Sequence, residues 1–292
     1  AIFGAFRGRN KFVDLFCFCP FGKNRLGRDI GNIGGCAGFF YHYWRFGYFG
    51  RFCWGGCDKI KSMKTKEGLW KLSPSGLYGY TECRSCFWVD NHYRKAPMLP
   101  LLLNSAMDSI LKSRYDKYRV DGAFPPEAKE LEKDGIKPFE DIDMLNEWRA
   151  KTGALKVVDE EAGYELAGKI DDVLVEADGR LIPADYKSSG NAPKEDKQKY
   201  YRDQLAAYGF MFKKHGYLVS DRAYLLHYFV QDKSNPSIEV KFISHVDLVK
   251  INLGELEQKL ADMVKLLNKP YPGHNEDCEK CSYHNGRGEA ME

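Results

Sequence analysis

Residues 166–189 read LAGKIDDVLVEADGRLIPADYKSS, and the fold turns on this stretch. Apolar and polar residues alternate along it with the period of a strand, and Ala-Asp-Gly at 177–179 supplies a tight turn. Residues 164–177 and 180–189 therefore read as two strands of a hairpin. On the second, Ile182, Ala184 and Tyr186 share one face, while Asp185 and Lys187 share the other. An isolated Asp-x-Lys is ordinarily a solvent-facing ion pair of little energetic weight, so its neighbours decide whether this one does more.

Working outward, residues 153–159 read as a preceding strand, joined through Glu-Glu-Ala-Gly to the first. A long amphipathic helix follows over residues 194–216 and ends at Gly216, as helices often do. Strands at 221–230 and 237–245 and a helix at 251–268 complete the order. Upstream, Ser73-Pro74 is a good helix start leading into residues 75–93, and further helices are expected over 99–118 and 140–153. The chain thus reads as an α/β fold whose core is helix, three-stranded meander, helix, then strand, with helical N-terminal additions.

The net charge of +3 joins two unlike parts. Residues 1–62 hold ten basic residues against three acidic ones, with twelve Gly, eleven Phe and five of the nine Cys, but no Glu, Gln, Thr or Met. Glycine at that density opposes both helix and strand. Met63 is the first methionine, and residues 1–62 read as a disordered or non-native Gly/Phe/Arg-rich leader, with an Arg/aromatic nucleic-acid arm and a cysteine metal cluster as the other readings. Residues 63–292 read as one compact domain. No run of eighteen apolar residues and no signal sequence is present, so a soluble, cytoplasmic protein with no membrane partner is expected.

Asp171 and Asp172 lie on the strand that would pair with that of Asp185. Two carboxylates at one spot repel unless a cation neutralises them, and a hard divalent ion with oxygen ligands does so. Such an ion stabilises charge on a phosphate, and Lys187 is placed to act on an attacking water. The carbonyl of Tyr186 is a further candidate ligand. Alternation alone does not choose between Asp171 and Asp172.

Gly168-x-Ile170-Asp171, then Asp185-Tyr186-Lys187, then Gln204-Leu205-Ala206-Ala207-Tyr208 resembles the PD-(D/E)XK nuclease superfamily, in particular its RecB-like and CRISPR-adaptation branch. The resemblance implies a restriction-endonuclease-like core, with Asp171 and Asp185 binding Mg2+ or Mn2+ and Lys187 acting on water. It also implies that Gln204 and Tyr208, four apart on one helix face, point at the site. Asp172 then faces away. Many relatives carry a metal-binding histidine on an early helix; residues 96–130 hold none, and Asp108 is the nearest substitute. A role in DNA repair or in CRISPR-type defence goes with that branch.

Cys83 and Cys86, and after a gap of 191 residues Cys278 and Cys281, form two Cys-x-x-Cys pairs. Two such pairs complete a tetrahedral site for Zn2+ or ligate an iron–sulfur cluster, and their separation implies a clasp joining both ends of residues 63–292. Relatives in the branch hold an iron–sulfur cluster with such a clasp, typically with one cysteine from the first region and three from the second; the two-plus-two pattern here departs from that.

The expected partner is DNA, as single strands or ends. Lys194, Lys197, Lys199, Arg202, Lys213 and Lys214 crowd one helix, and Lys112, Arg114, Lys117 and Arg119 another, with Tyr200 and Tyr201 as stacking candidates. The alternative is a non-catalytic nucleic-acid-binding module on the same fold; the presence of Asp171, Asp185 and Lys187 together favours catalysis.

Overall fold

A computed structural model of the protein describes residues 63–93, 102–150, 155–193, 198–234 and 239–283. The expected leader, residues 1–62, lies outside them, as do Lys194 and Lys197. In chain order, β1 (Trp70–Leu72) precedes α1 (Tyr78–Glu82), α2 (Arg84–His92), α3 (Leu102–Arg119), α4 (Glu130–Lys133), β2 (Lys137–Pro138) and α5 (Ile142–Arg149). Then come β3 (Leu155–Asp159), β4 (Tyr164–Gly168), β5 (Asp172–Val175), β6 (Leu181–Ser189), α6 (Gln198–Lys214), β7 (Arg222–Val230), β8 (Phe242–Lys250) and α7 (Leu253–Leu267). The architecture is mixed α/β, as expected, with a helical N-terminal region.

One sheet has the order β2-β5-β6-β7-β8, with β6 and β7 parallel and the other pairs antiparallel. Helices cover both of its faces. Ile182, Ala184, Tyr186, Leu226 and Tyr228 pack against Leu111 and Tyr115 of α3 on one side. Leu181, Val173, Ala223 and Leu225 pack against α6 and its neighbours on the other. The alternation read in β6 is therefore real, but both faces are covered, so every residue from Leu181 to Tyr186 is buried. In α6, residues 205–212 are all buried, the mark of a helix enclosed on every side.

The expected three-stranded meander is not continuous. Residues 164–177 form two strands, not one: β4 pairs with β3 and, in parallel, with β1, whereas β5 pairs with β6 and β2. The chain leaves one sheet and enters the other through Lys169, Ile170 and Asp171. Gly168 makes this passage possible, because a Cβ there would lie 2.6 and 2.7 Å from the ring of Pro74. Gly168→Ala is expected to lower stability by about 1–3 kcal/mol through this overpacking, read as a shift in the denaturant midpoint.

Two other expectations shift. Residues 75–93 are not one helix: Ser73 makes no side-chain cap, a 3-10 turn spans Pro74–Gly76, and Cys83 breaks α1 from α2 with φ −156° and ψ 112°. Its sulfur instead caps α2 by accepting from the Cys86 N–H at 3.4 Å. The last strand runs Phe242–Lys250, not 237–245, because nine residues of β7 set its register. It is an edge strand with one partner, and only Val249 of its nine residues is buried, which blurs its apolar signal.

Candidate active site

β6 carries Asp185 beneath α6, where the residue is 1% exposed. The i, i+4 spacing of Gln204 and Tyr208 turns both toward it. Gln204 Nε2 donates to Asp185 Oδ1 at 2.9 Å and to the Tyr208 hydroxyl at 3.3 Å, and Tyr208 donates to the Lys169 carbonyl at 2.5 Å. Tyr208 thus fastens α6 to the passage between the sheets, and Gln204 fastens α6 to the carboxylate.

Lys187 lies two residues on, on the same face, with its ammonium against Asp185 Oδ2 and 4.7 Å above the Tyr201 ring. Asp171 stands in the passage just before β5. Its Oδ2 accepts from the Tyr186 N–H at 3.2 Å, and its Oδ1 meets Lys112 Nζ at 2.9 Å. Lys112 also holds Asp108 at 2.8 Å. Asp171, Asp185, Lys187, Gln204 and Tyr208 are therefore brought to one place, while Asp108 is bonded to them through Lys112 and shares the lining of the adjoining cleft. Asp172 faces the opposite side of β5.

The charges act on one another. Burial pushes the Asp185 carboxyl up to about 7, with the Lys187 ammonium opposing and the Asp171 carboxylate adding to the rise. Burial would lower the Lys187 ammonium, but Asp185 and Asp171 outweigh it and hold it above its ordinary value. Lys112 is raised in the same way by Asp171 and Asp108. A cleft of about 250 Å³ opens beside these groups, lined by Asp108, Tyr186, Lys187, Ser188, Tyr201 and His227 among others.

Four residues around the site were not legible as site residues. Lys112, read as part of a basic patch, is the partner of Asp171; the Asp108-x-x-x-Lys112 spacing was the available signal. Arg149 Nε donates to the Asp171 carbonyl at 2.8 Å while its guanidinium grips Asp116, so it positions the passage. His227 pairs in register with Lys187 and meets Asp247 at 3.0 Å; a histidine inside an apolar strand carries no such signal. Arg119, expected on a nucleic-acid face, is 3% exposed and bound to Asp172. Arg114 is likewise occupied, by Glu127.

A family model of the PD-(D/E)XK nuclease superfamily matches residues 100–285, more than half of the chain. The chain belongs to this superfamily. No curated protein matches it. A solved structure titled "Crystal structure of SSO0001" is similar at TM-score 0.36 and 14% identity, over 76% of this chain and 86% of that one. PD-(D/E)XK proteins are generally nucleases, which makes nucleic acid the substrate class, and they typically use divalent metals. Among the described residues no helix is long and apolar enough to cross a membrane.

The donor set suits such a metal. Asp171 and Asp185 offer hard carboxylate oxygens, and the partner of buried Asp185 Oδ2 is the Lys187 ammonium, a charge that a cation bound there would replace or share. A divalent ion held there supplies Lewis acidity toward the phosphate and toward water. Asp108, Asp171 and Asp185 do not by themselves form a three-carboxylate cluster within 4.8 Å.

A second constellation is made by Cys83, Cys86, Cys278 and Cys281, whose sulfurs lie within 4.8 Å of one another and form a group able to hold a metal ion. Burial pushes the Cys83 thiol up, but the Cys86 N–H, the neighbouring thiols and the Asn275 amide outweigh it and bring it down to about 7. Burial and the surrounding thiols raise Cys86.

Proposed function

We propose that this chain is a metal-dependent deoxyribonuclease of the RecB-like branch, with residues 63–292 as its nuclease domain and the four cysteines as a metal clasp. The observation that carries the reading is the meeting of Asp171, Asp185 and Lys187 beside an open cleft, with Gln204 bonded to Asp185. Asp171, Asp185 and the Tyr186 carbonyl hold Mg2+ or Mn2+. Lys187 orients the attacking water and takes up charge near the phosphate. Gln204 fixes the Asp185 carboxylate, and Tyr208 fixes Gln204. DNA strands or ends enter the cleft, where Tyr201 stands beside Lys187.

The test is incubation of the full chain with end-labelled single- and double-stranded DNA, and with RNA, in magnesium or manganese and in chelator. Cleavage of DNA that chelator abolishes is the expected result. Binding without cleavage in either metal would instead favour the non-catalytic module.

The same assay carries a pH signature. Asp185 binds a cation only when ionised, and its carboxyl stands at about 7, so affinity is full above that value and falls as pH drops through it. The apparent metal affinity is expected to be about tenfold weaker near pH 6 than near pH 8. A flat metal titration across that range would remove Asp185 as a ligand.

A further inference from the structure

We infer that Cys83, Cys86, Cys278 and Cys281 hold one tetrahedral zinc ion, and that the iron–sulfur cluster implied by the RecB-like branch does not fit them. The inference rests on the clasp of the proposed function and is independent of its nuclease chemistry.

The argument is one of distance. Cys86 Sγ lies 3.3 Å from Cys281 and 3.7 Å from Cys278, and Cys83 Sγ lies 3.6 Å from Cys281. No two of the four sulfurs are more than 4.8 Å apart. Four thiolates about 2.3 Å from one central ion stand at the corners of a tetrahedron with edges of about 3.8 Å. Three of the six edges found are 3.3–3.7 Å, and none exceeds 4.8 Å. In a four-iron cluster each thiolate sits on its own iron, so each sulfur–sulfur edge lengthens by a whole metal–metal separation, to roughly 6 Å. A two-iron cluster separates its two cysteine pairs by the same addition. Here the pairs interleave, with Cys86 touching both members of the other pair.

The surroundings hold this small site closed without the ion's help. Ser85 Oγ donates to the Gly273 carbonyl at 2.6 Å and Trp88 Nε1 to the Lys269 carbonyl at 2.9 Å, tying α2 to the segment after α7. Two N–H groups, from Cys86 at 3.4 Å and from the Asn275 amide at 3.6 Å, point at the Cys83 sulfur and offset thiolate charge. Cys83 and Cys281 are 3% and 6% exposed. Expanding the sulfur tetrahedron to admit a cluster would break these contacts. Between single ions, zinc outranks ferrous iron at thiolate sites. A zinc clasp changes no oxidation state, so its part is mechanical: it binds α2 to the C-terminal segment across the fold.

The full chain, purified without oxygen from cells supplied with both iron and zinc, is the material for the test. Zinc X-ray absorption is expected to show four sulfurs at about 2.3 Å and no metal–metal scattering. Acid-labile sulfide is expected to be absent. Cys278→Ser is expected to lose about one zinc per chain relative to the parent, a difference that discounts ions held by other cysteines. If that variant does not fold, the parent's spectrum and sulfide content still decide. Iron with acid-labile sulfide in the parent, a red single-iron thiolate spectrum, or neither metal present would each overturn the assignment. Because no outcome is read from DNA cleavage, the zinc clasp and the nuclease reading stand or fall separately.

Discussion

Asp185→Asn and Lys187→Met are each expected to reduce metal-dependent DNA cleavage on the order of 10³-fold or more, equivalent to about 4 kcal/mol of lost transition-state stabilisation. The two fail for different reasons. Asparagine keeps the shape of the buried pocket, but its one oxygen cannot both accept from Gln204 and face the cation: kept on Gln204, it leaves a neutral NH2 where the second carboxylate oxygen stood. Methionine keeps the length of Lys187 and its packing on Tyr201 but removes the charge that faces the water and the phosphate. Each substitution also separates a buried ion pair, so melting curves must accompany the rates. The diagnostic difference is in metal dependence: excess manganese is expected to recover part of the activity of Asp185→Asn and none of that of Lys187→Met. A folded variant of either kind that cleaves at the parental rate would refute the site assignment.

The largest stability effect is expected on the other face of β5. Arg119 and Asp172 are 3% and 0% exposed and meet at 2.5 Å, with Tyr186 donating its hydroxyl to the same carboxylate and the Val173 N–H accepted at 2.7 Å. Arg119 also donates to the Phe139 carbonyl at 2.8 Å. Removing Arg119 leaves buried Asp172 with only the Arg149 guanidinium, 3.8 Å away, as counter-charge, so Arg119→Ala is expected to cost up to about 3–5 kcal/mol. Adding Asp172→Asn should return part of that loss, because the neutral amide needs no counter-charge. Urea unfolding of the parent, the single variant and the double variant measures both terms. A cost below about 1 kcal/mol would mean that water reaches the pair. The effect bears on function, because Tyr186 lies between Asp185 and Lys187: the Arg119–Asp172–Tyr186 contacts fix the strand that presents both site residues.

What was legible in the sequence is what a short window of chain decides by itself. The hairpin turns at Gly163 and Gly179 adopt φ of 82° and 86°, which glycine accepts without strain, so period-two strands broken at those points could be located in advance. The alternation along β6 separated Asp185 and Lys187 from Tyr186 correctly, since the pleat sets it residue by residue. The four-residue spacing of Gln204 and Tyr208 set their common face for the same kind of reason.

Long-range packing decided the rest. Whether residues 164–177 form one strand or two depends on which partners hydrogen-bond to each half, and β1, almost a hundred residues before β4, is one of them. That change of sheet, and not alternation, aims Asp171 at the Tyr186 N–H. Arg119 looked like any basic residue at a helix end; only the docking of α3 over the sheet buried it against Asp172, where pairing outweighs the loss of hydration. The two Cys-x-x-Cys pairs were visible as pairs, but the choice between one ion and a cluster lay in sulfur–sulfur distances, which exist only after residues far apart in the chain have been folded together.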